Sequence, residues 1–239
     1  MKKLTLLLGF LVLSCGASKE SVAPVHAPAP EMEEVVTEPQ QNVQVNGLWG
    51  KIDDSIVEDT MQQHFQAFLD CYQTEALDFL EEIEGDLSVF LIVAPDGSVT
   101  DEIYFEDGSL GSEATQSCVI GKMKRIHFQK PIGGGKAKVR YNFPFEAPYN
   151  HPAPFDWSGN EQFLNDLETH REEIDTCLQG KTGVRFIIYI GRGGKVEAAG
   201  ATAGNQDAYD AGRCISRASK NWMFANPGKS RPAKAIVQF

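Results

Sequence analysis

Residues 118–128 read CVIGKMKRIHF, and residues 214–224 read CISRASKNWMF. Each stretch opens on a cysteine with an apolar neighbour, Val119 or Ile215, and each closes on a phenylalanine, Phe128 or Phe224, at the same spacing. The first also carries Lys122, Lys124 and Arg125. Taken alone it admits a nucleic-acid patch, a reactive thiol or a packed helix. The second stretch lies 96 positions downstream and changes the basic pattern while keeping the cysteine, the apolar neighbour and the phenylalanine. What repeats is the packing set.

Further matches extend the repeat in both directions. His64 aligns with His170, Cys71 with Cys177, Gly97 with Gly194, Val99 with Val196, Pro131 with Pro227 and Phe143 with Phe239. A longer helix-to-strand connection in the first copy and one further residue between Val99 and Cys118 are enough to align them, which marks a duplication.

Each copy predicts helix, strand, strand, helix, strand. In the first, Ser55-Ile56-Val57-Glu58 has the form of a capping box, so folded structure is expected to start near Ser55. Val57, Met61, His64, Phe65, Phe68, Cys71 and Tyr72 then make one helical face. That helix is expected to run through Leu77 and Leu80 towards Gly85. Leu87–Val93 reads as a buried strand, Pro95-Asp96-Gly97 as a tight turn, and the stretch around Val99, Ile103 and Phe105 as its partner. Helix is expected over Glu113–Arg125 and a final alternating strand over Ala137–Phe145. In the second copy, Phe163, Leu167, His170, Ile174, Cys177 and Leu178 form the first stripe. Val184–Ile190 and a segment from Val196 are the strands, and Gly191-Arg192-Gly193-Gly194 is their turn. Ala211, Cys214, Ile215, Ala218 and Trp222 stripe the second helix, and Ala233–Phe239 alternates to its end.

At the N-terminus, Lys2 and Lys3 precede an apolar run from Leu4 to Leu13, the form of a secretory signal. The run falls short of the roughly 20 residues that span a bilayer. Val12-Leu13-Ser14-Cys15 resembles the lipobox of bacterial lipoproteins, which implies cleavage before Cys15 and its acylation, with palmitate among the chains. Gly16 in place of an aspartate points to the outer membrane. From Lys19 to about Gly47 the composition shifts to Ala, Pro, Val, Glu and Gln and reads as a tether.

Export places the remaining cysteines in an oxidising compartment, where thiols are rarely left unpaired. Cys71, Cys118, Cys177 and Cys214 admit three pairings. The repeat puts one cysteine on the first helix and one on the second helix of each copy, which predicts Cys71 with Cys118 and Cys177 with Cys214. A tetrathiolate zinc site would need closely spaced cysteine pairs, and neither copy has one.

The helix with Cys71-Tyr72, the Pro95-Asp96-Gly97 turn, the second cysteine on a helix ending in an aromatic-rich segment and the final alternating strand resemble the AgmX/PglI C-terminal domain. That family is a cysteine-containing relative of the TonB C-terminal domain. The resemblance covers Ile56–Phe145 well and Phe163–Phe239 more loosely. The second copy keeps a tryptophan, Trp222, where the first has Ile126, and it lacks the Pro-Asp-Gly turn. A lipid anchor in place of a spanning helix departs from TonB itself. The resemblance implies an α+β fold of two tandem TonB C-terminal-like domains, each a small sheet packed on helices with one disulfide. It also implies a sheet edge that takes up an extended peptide as a strand, with Ala137–Phe145 and Ala233–Phe239 as candidates. The chain divides into a signal peptide, 1–14; a lipidated N-terminus and tether, 15–50; a first domain, 51–146; a Pro-rich linker, 147–157; and a second domain, 158–239.

No other chemistry is expected. His64 and His170 suit the edge of a helix against a sheet better than a paired metal site. Gly133-Gly134-Gly135 and Gly191-Arg192-Gly193-Gly194 lack the lysine-serine and helix start of a phosphate loop. The acidic run Glu81, Glu82, Glu84 and Asp86 lacks the ligand spacing of a calcium loop, and no nucleophile elbow or triad is present. Neither a cofactor nor a small-molecule substrate is implied. Residues 51–150 carry 8 basic and 18 acidic residues, a balance of −10, while 151–239 carry 11 and 10. The acidic first half argues against nucleic acid and anionic lipid surfaces. The expected role is a non-enzymatic lipoprotein at the periplasmic face of the outer membrane that binds an envelope protein or extended peptide, with links to envelope transport or gliding motility. The competing reading is a structural spacer that self-associates or contacts peptidoglycan.

Overall fold

The computed structural model describes residues 49–77, 83–147 and 153–239, and gives both copies the order helix, strand, strand, helix, strand. The signal peptide, Cys15 and nearly all of the tether lie outside the described residues. So do Leu80, Glu81, Glu82 and residues 148–152 of the linker.

Helix α1, Asp54–Tyr72, buries Val57, Met61, Phe68, Cys71 and Tyr72 along one face. It starts before the expected capping box, with Asp53 at the N-cap and its carbonyl accepting from Ile56 and Val57. The fold takes in residues before Ser55 because Lys51 bridges Ile132 and the Gly50 amide bonds the Lys136 carbonyl. That pairing sets the entry angle, so Ser55 and Glu58 fall inside the first turns. The α-helix passes at Gln73 into a wider π turn, Gln73–Leu77.

Strands β1, Gly85–Val93, and β2, Val99–Gly108, form an antiparallel hairpin. Helix α2, Glu113–Met123, follows, and β3, Ala137–Phe145, returns antiparallel to the other side of β1. The sheet order is β2-β1-β3. Its central strand is an almost unbroken apolar run because both of its faces are covered. β3 alternates, with Ala137, Val139, Phe143 and Phe145 buried and Lys138, Arg140, Asn142 and Pro144 exposed.

In the second copy, the single expected helix is broken into α3, Glu161–Glu168, and α4, Arg171–Leu178. The break lies at His170, whose ring stacks on Trp222 at 4.5 Å between centroids. The first copy has Ile126 at the position of Trp222, and there α1 runs unbroken through an exposed His64. The larger indole gives the second histidine a flat surface to turn onto. Strands β5, Val184–Ile190, and β6, Val196–Ala203, helix α5, Gln206–Ala218, and strand β7, Ala233–Gln238, complete the copy. A two-residue strand, β4, Phe155–Asp156, makes the sheet order β4-β7-β5-β6. The segment expected to be linker therefore ends inside the second sheet, and Trp157 is buried.

Two details show that the repeat is structural. The Phe128 amide bonds the Gly97 carbonyl at 2.8 Å, and the Phe224 amide bonds the Gly194 carbonyl at the same distance. Gly97 has φ +98° and Gly194 φ +84°, and a Cβ on either would stand within 2.2 Å of the facing Phe128 or Phe224 carbonyl oxygen. Positive φ and close backbone approach both demand glycine here. The second detail is the pair of disulfides. Cys71 bonds Cys118 and Cys177 bonds Cys214, with Cα–Cα distances of 5.7 and 5.5 Å and sequence separations of 47 and 37. Loops of that size are worth about 4 kcal/mol each in the chain-entropy model.

The fold is thus α+β, with two small sheets and a disulfide in each copy. The copies are not independent beads. Their buried residues form one continuous core.

Candidate functional site

Backbone hydrogen-bonding edges are the feature of this fold most open to a partner, since an unpaired edge strand templates a further strand. The first sheet ends on β2 and β3, and the second on β6 and, beyond β7, on the two-residue β4.

The edges at β2 and β6 are turned towards each other. Strand β2 packs on β6, α2 packs on β6, α5 packs on β2, and the two helices touch. That pattern is reciprocal, as in an isologous dimer interface. The hydrogen bonds follow it: the Ile103 amide of β2 donates to Gln206 Oε1 at 3.1 Å, and the Ala201 amide of β6 donates to Gln116 Oε1 at 3.4 Å. Around them Tyr104 Oη donates to the Gly204 carbonyl and Arg185 to Asp107 Oδ1. Lys234 Nζ donates to the Ser109 carbonyl at 2.6 Å, and burial lowers its pKa.

At the centre of this contact is Glu113, whose side chain is only 8% exposed. It accepts from Arg217 at 2.8 Å, Arg213 at 3.4 Å and Ser117 Oγ at 2.8 Å. Burial alone would raise its pKa. The Ser117 and Arg217 bonds and the two guanidinium charges outweigh burial and hold the carboxyl below its usual range.

The β7 edge is closed by the chain itself. Phe155 and Asp156 run parallel to Ala233 and Lys234. The Phe155 amide donates to the Pro232 carbonyl at 3.3 Å and the Trp157 amide to the Lys234 carbonyl at 2.8 Å. Ser158 Oγ then accepts from the Ile236 amide at 2.9 Å. Trp157 packs on Phe163, and Phe155 lies under Lys229 Nζ at 4.0 Å. Asp156 Oδ1 accepts from the amide and hydroxyl of Ser158, which holds its carboxyl below the ordinary range.

The outer edge of β3 differs. Its partner is β1, and no described residue pairs with its other side beyond the Gly50 bond to Lys136. Pro144 fixes which backbone groups face out. Proline cannot donate to a ladder and is tolerated on an edge strand with its nitrogen towards solvent. By alternation, the amides and carbonyls of Lys138, Arg140 and Asn142 lie on that outer side. The second copy agrees: Pro232, Lys234 and Ile236, which meet the 155–158 segment, are the repeat equivalents of Lys136, Lys138 and Arg140. Two exposed apolar side chains flank the start of this edge, Trp49 at 55% and Ile132 at 66% exposure. Lys138 Nζ lies 4.4 Å over the Trp49 ring, and Arg140 Nε binds both oxygens of Glu106 at 2.7 and 3.0 Å.

The residues singled out in the sequence do not converge on a reactive centre. Cys71 is buried and Cys118 half-buried, whereas Cys177 is buried and Cys214 exposed. Val119, Met123, Ile126 and Phe128 enter the core, and Lys122, Lys124 and Arg125 are exposed. The histidines are not a pair: His64 faces solvent, while His170 rests on Trp222, whose Nε1 donates to Glu173 at 3.0 Å. Among the described residues no group of three or more His, Cys, Asp or Glu stands close enough to hold a metal ion. A hollow of about 520 Å³ beside Arg171, Lys181 and Phe239 is open, and its Arg171 is paired with Asp175 at 3.1 Å. What the sequence reading missed is the β3 edge as distinct from β7. Pro144 inside a strand pattern was the signal for the first, and the Phe155-Asp156-Trp157-Ser158 run before a helix for the second.

Compared with models of known families, with curated proteins and with solved structures, the chain matches none.

Proposed function

We propose that this chain is a non-enzymatic, lipid-anchored protein of the bacterial cell envelope that captures an extended segment of a partner protein as an added strand on the outer edge of β3. The observation that carries this reading is the contrast among the four edges. Two are turned into the contact between copies, the third is the two-residue β4 that the chain itself lays over β7, and β3 offers outward backbone groups along a nine-residue strand with no described partner. The resemblance to AgmX/PglI and TonB C-terminal domains supports the same mode of capture. Both disulfides fit an exported protein, and the lipobox-like Val12-Leu13-Ser14-Cys15 supports an anchor at the outer membrane.

The test is cross-linking in intact cells followed by mass spectrometry, with the native chain and with Arg140→Pro. The substitution removes an outward amide and an exposed ion pair worth at most about 1 kcal/mol, so the urea midpoint should move little. A recurrent partner should appear with the native chain and disappear with the variant. Partner capture that persists with proline in β3 rejects strand addition at this edge. The anchor has its own check: Cys15→Ala should abolish incorporation of labelled palmitate and release the protein from the membrane fraction, and a variant that stays membrane-bound counts against acylation.

A further inference from the structure

The second copy has its occupant built in, and the repeat makes that occupant informative about the first. Lys138 of β3 is the repeat equivalent of Lys234 of β7, and Arg140 of Ile236. On β7 the chain supplies four consecutive residues in parallel orientation. Phe155 is the aromatic lead, Asp156 stands in register with Lys234, Trp157 bonds the Lys234 carbonyl, and Ser158 accepts from the Ile236 amide. Paired residues in neighbouring strands project on the same face of the sheet, so the acid of the occupant and the lysine of the edge are neighbours whose charges favour each other, although the Asp156 carboxylate bonds Ser158 and Lys234 Nζ bonds the Ser109 carbonyl.

Among the described residues, nothing fills the same slots in the first copy. The Lys136 carbonyl is taken by Gly50, which leaves Lys138, Arg140 and Asn142. Around them, Trp49 and Ile132 supply an exposed apolar surface where the second copy uses Lys229 and Arg231 against Phe155. Lys138 adds a positive charge beside these slots on an otherwise acidic half of the chain, while Arg140 is already paired with Glu106.

We infer that β3 recognises, in parallel orientation, an extended segment of a partner protein in which an acidic residue lies between apolar or aromatic ones, the chemistry that residues 155–158 supply to β7. This rests on the strand-addition reading above and specifies its ligand. The acid sits opposite Lys138, the following residue donates its amide to the Lys138 carbonyl, and the next group accepts from the Arg140 amide. The β7 edge is unavailable to such a partner because its own segment fills it, so each chain captures one segment.

The probe is a synthetic peptide with the sequence of residues 153–160, APFDWSGN, carrying a fluorophore, titrated by anisotropy onto the oxidised full-length mature chain. A charge-swapped peptide, APFKWSGN, is the comparison. An opposite-charge cross-strand pair contributes about 0.2–1 kcal/mol, so the acidic peptide should bind about 1.4- to fivefold more tightly, and Lys138→Glu should reverse the preference. Arg140→Pro should abolish binding of both, and a photo-reactive group at the Phe155 position of the peptide should label β3. Equal affinity for the two peptides, with binding still lost in Arg140→Pro, overturns the acidic-aromatic occupant and leaves strand addition standing. Binding that survives Arg140→Pro, or label on β7, overturns both. No binding of either peptide, or displacement needed from residues 43–48 of the same chain as the resident occupant, overturns capture of a partner segment of this chemistry. Lys138→Glu is a surface change that leaves the fold in place, so the reversal stays readable if the proline variant is unstable.

Discussion

At the residue scale, Glu113 ties the copies together. A carboxylate that is nearly buried and bonded by two arginines from the other copy, 100 and 104 positions away, contributes only while it is ionised. Its folded pKa lies below the ordinary value of 4.5, so the stability it provides is fully present above that value. The contribution is lost as pH falls through the lowered folded pKa. Glu113→Gln should therefore cost about 1.5–3 kcal/mol at pH 7, the range for hydrogen bonds to a charged group. The gap between native and variant proteins should narrow as pH falls below the ordinary carboxylate range and the native carboxyl takes up its proton. Urea unfolding at several pH values reads this directly, and a gap that stays constant down to pH 2 removes Glu113 from the interface account. The sequence pointed to Cys71, Cys118, Cys177 and Cys214 because disulfide partners repeat with the fold. It was silent on Glu113, because its partners belong to the other copy and nothing local marks a charge that will be buried.

At the scale of elements, β3 and β5 came out with the expected bounds, since a strict period of two or an unbroken apolar run between turn residues leaves little choice. Boundaries set by long-range pairing did not. The start of α1 moved to Asp54 because Lys51 is held against Ile132, a contact 81 positions away that no capping rule contains. The break between α3 and α4 has no proline or glycine to announce it. It follows from His170 meeting Trp222, a pair brought together only by the tertiary fold. β4 was hidden for the same reason: two residues have no period, and their strand character comes from the Ala233 and Lys234 backbone beside them. Pro144, by contrast, carried a local signal that went unread when Ala137–Phe145 and Ala233–Phe239 stood as equal candidates, and it decides the candidate site. A proline in an otherwise alternating strand places that strand at an edge and its own face outward. The backbone groups offered to a partner then follow by counting in twos.

At the scale of the whole molecule, two tandem domains and a linker were expected, and the copies instead pack reciprocally through β2, α2, β6 and α5. Repeated domains on one chain meet at high effective concentration, so a weak self-complementary face can become a permanent intramolecular one. The buried aromatic residues at this contact include Tyr104, Phe105 and Tyr209, with ring centroids 6.1–6.4 Å apart across the copies. Separating the copies would return those rings to water and strip Glu113 of both guanidinium groups. Urea unfolding of the intact, oxidised chain should then be a single transition, with tryptophan fluorescence, in which Trp157 and Trp222 of the second copy are the buried reporters, and far-ultraviolet circular dichroism from both copies giving one midpoint. Its denaturant slope should be near the upper part of the range of about 1–3 kcal/mol per molar urea, because one large surface is exposed at once. Two separable transitions, with the fluorescence change completed at a different midpoint from the loss of secondary structure, would mean that each copy folds alone. The one-segment stoichiometry inferred for β3 would then lose its structural basis, since the β2 and β6 edges closed by the contact would become available as well.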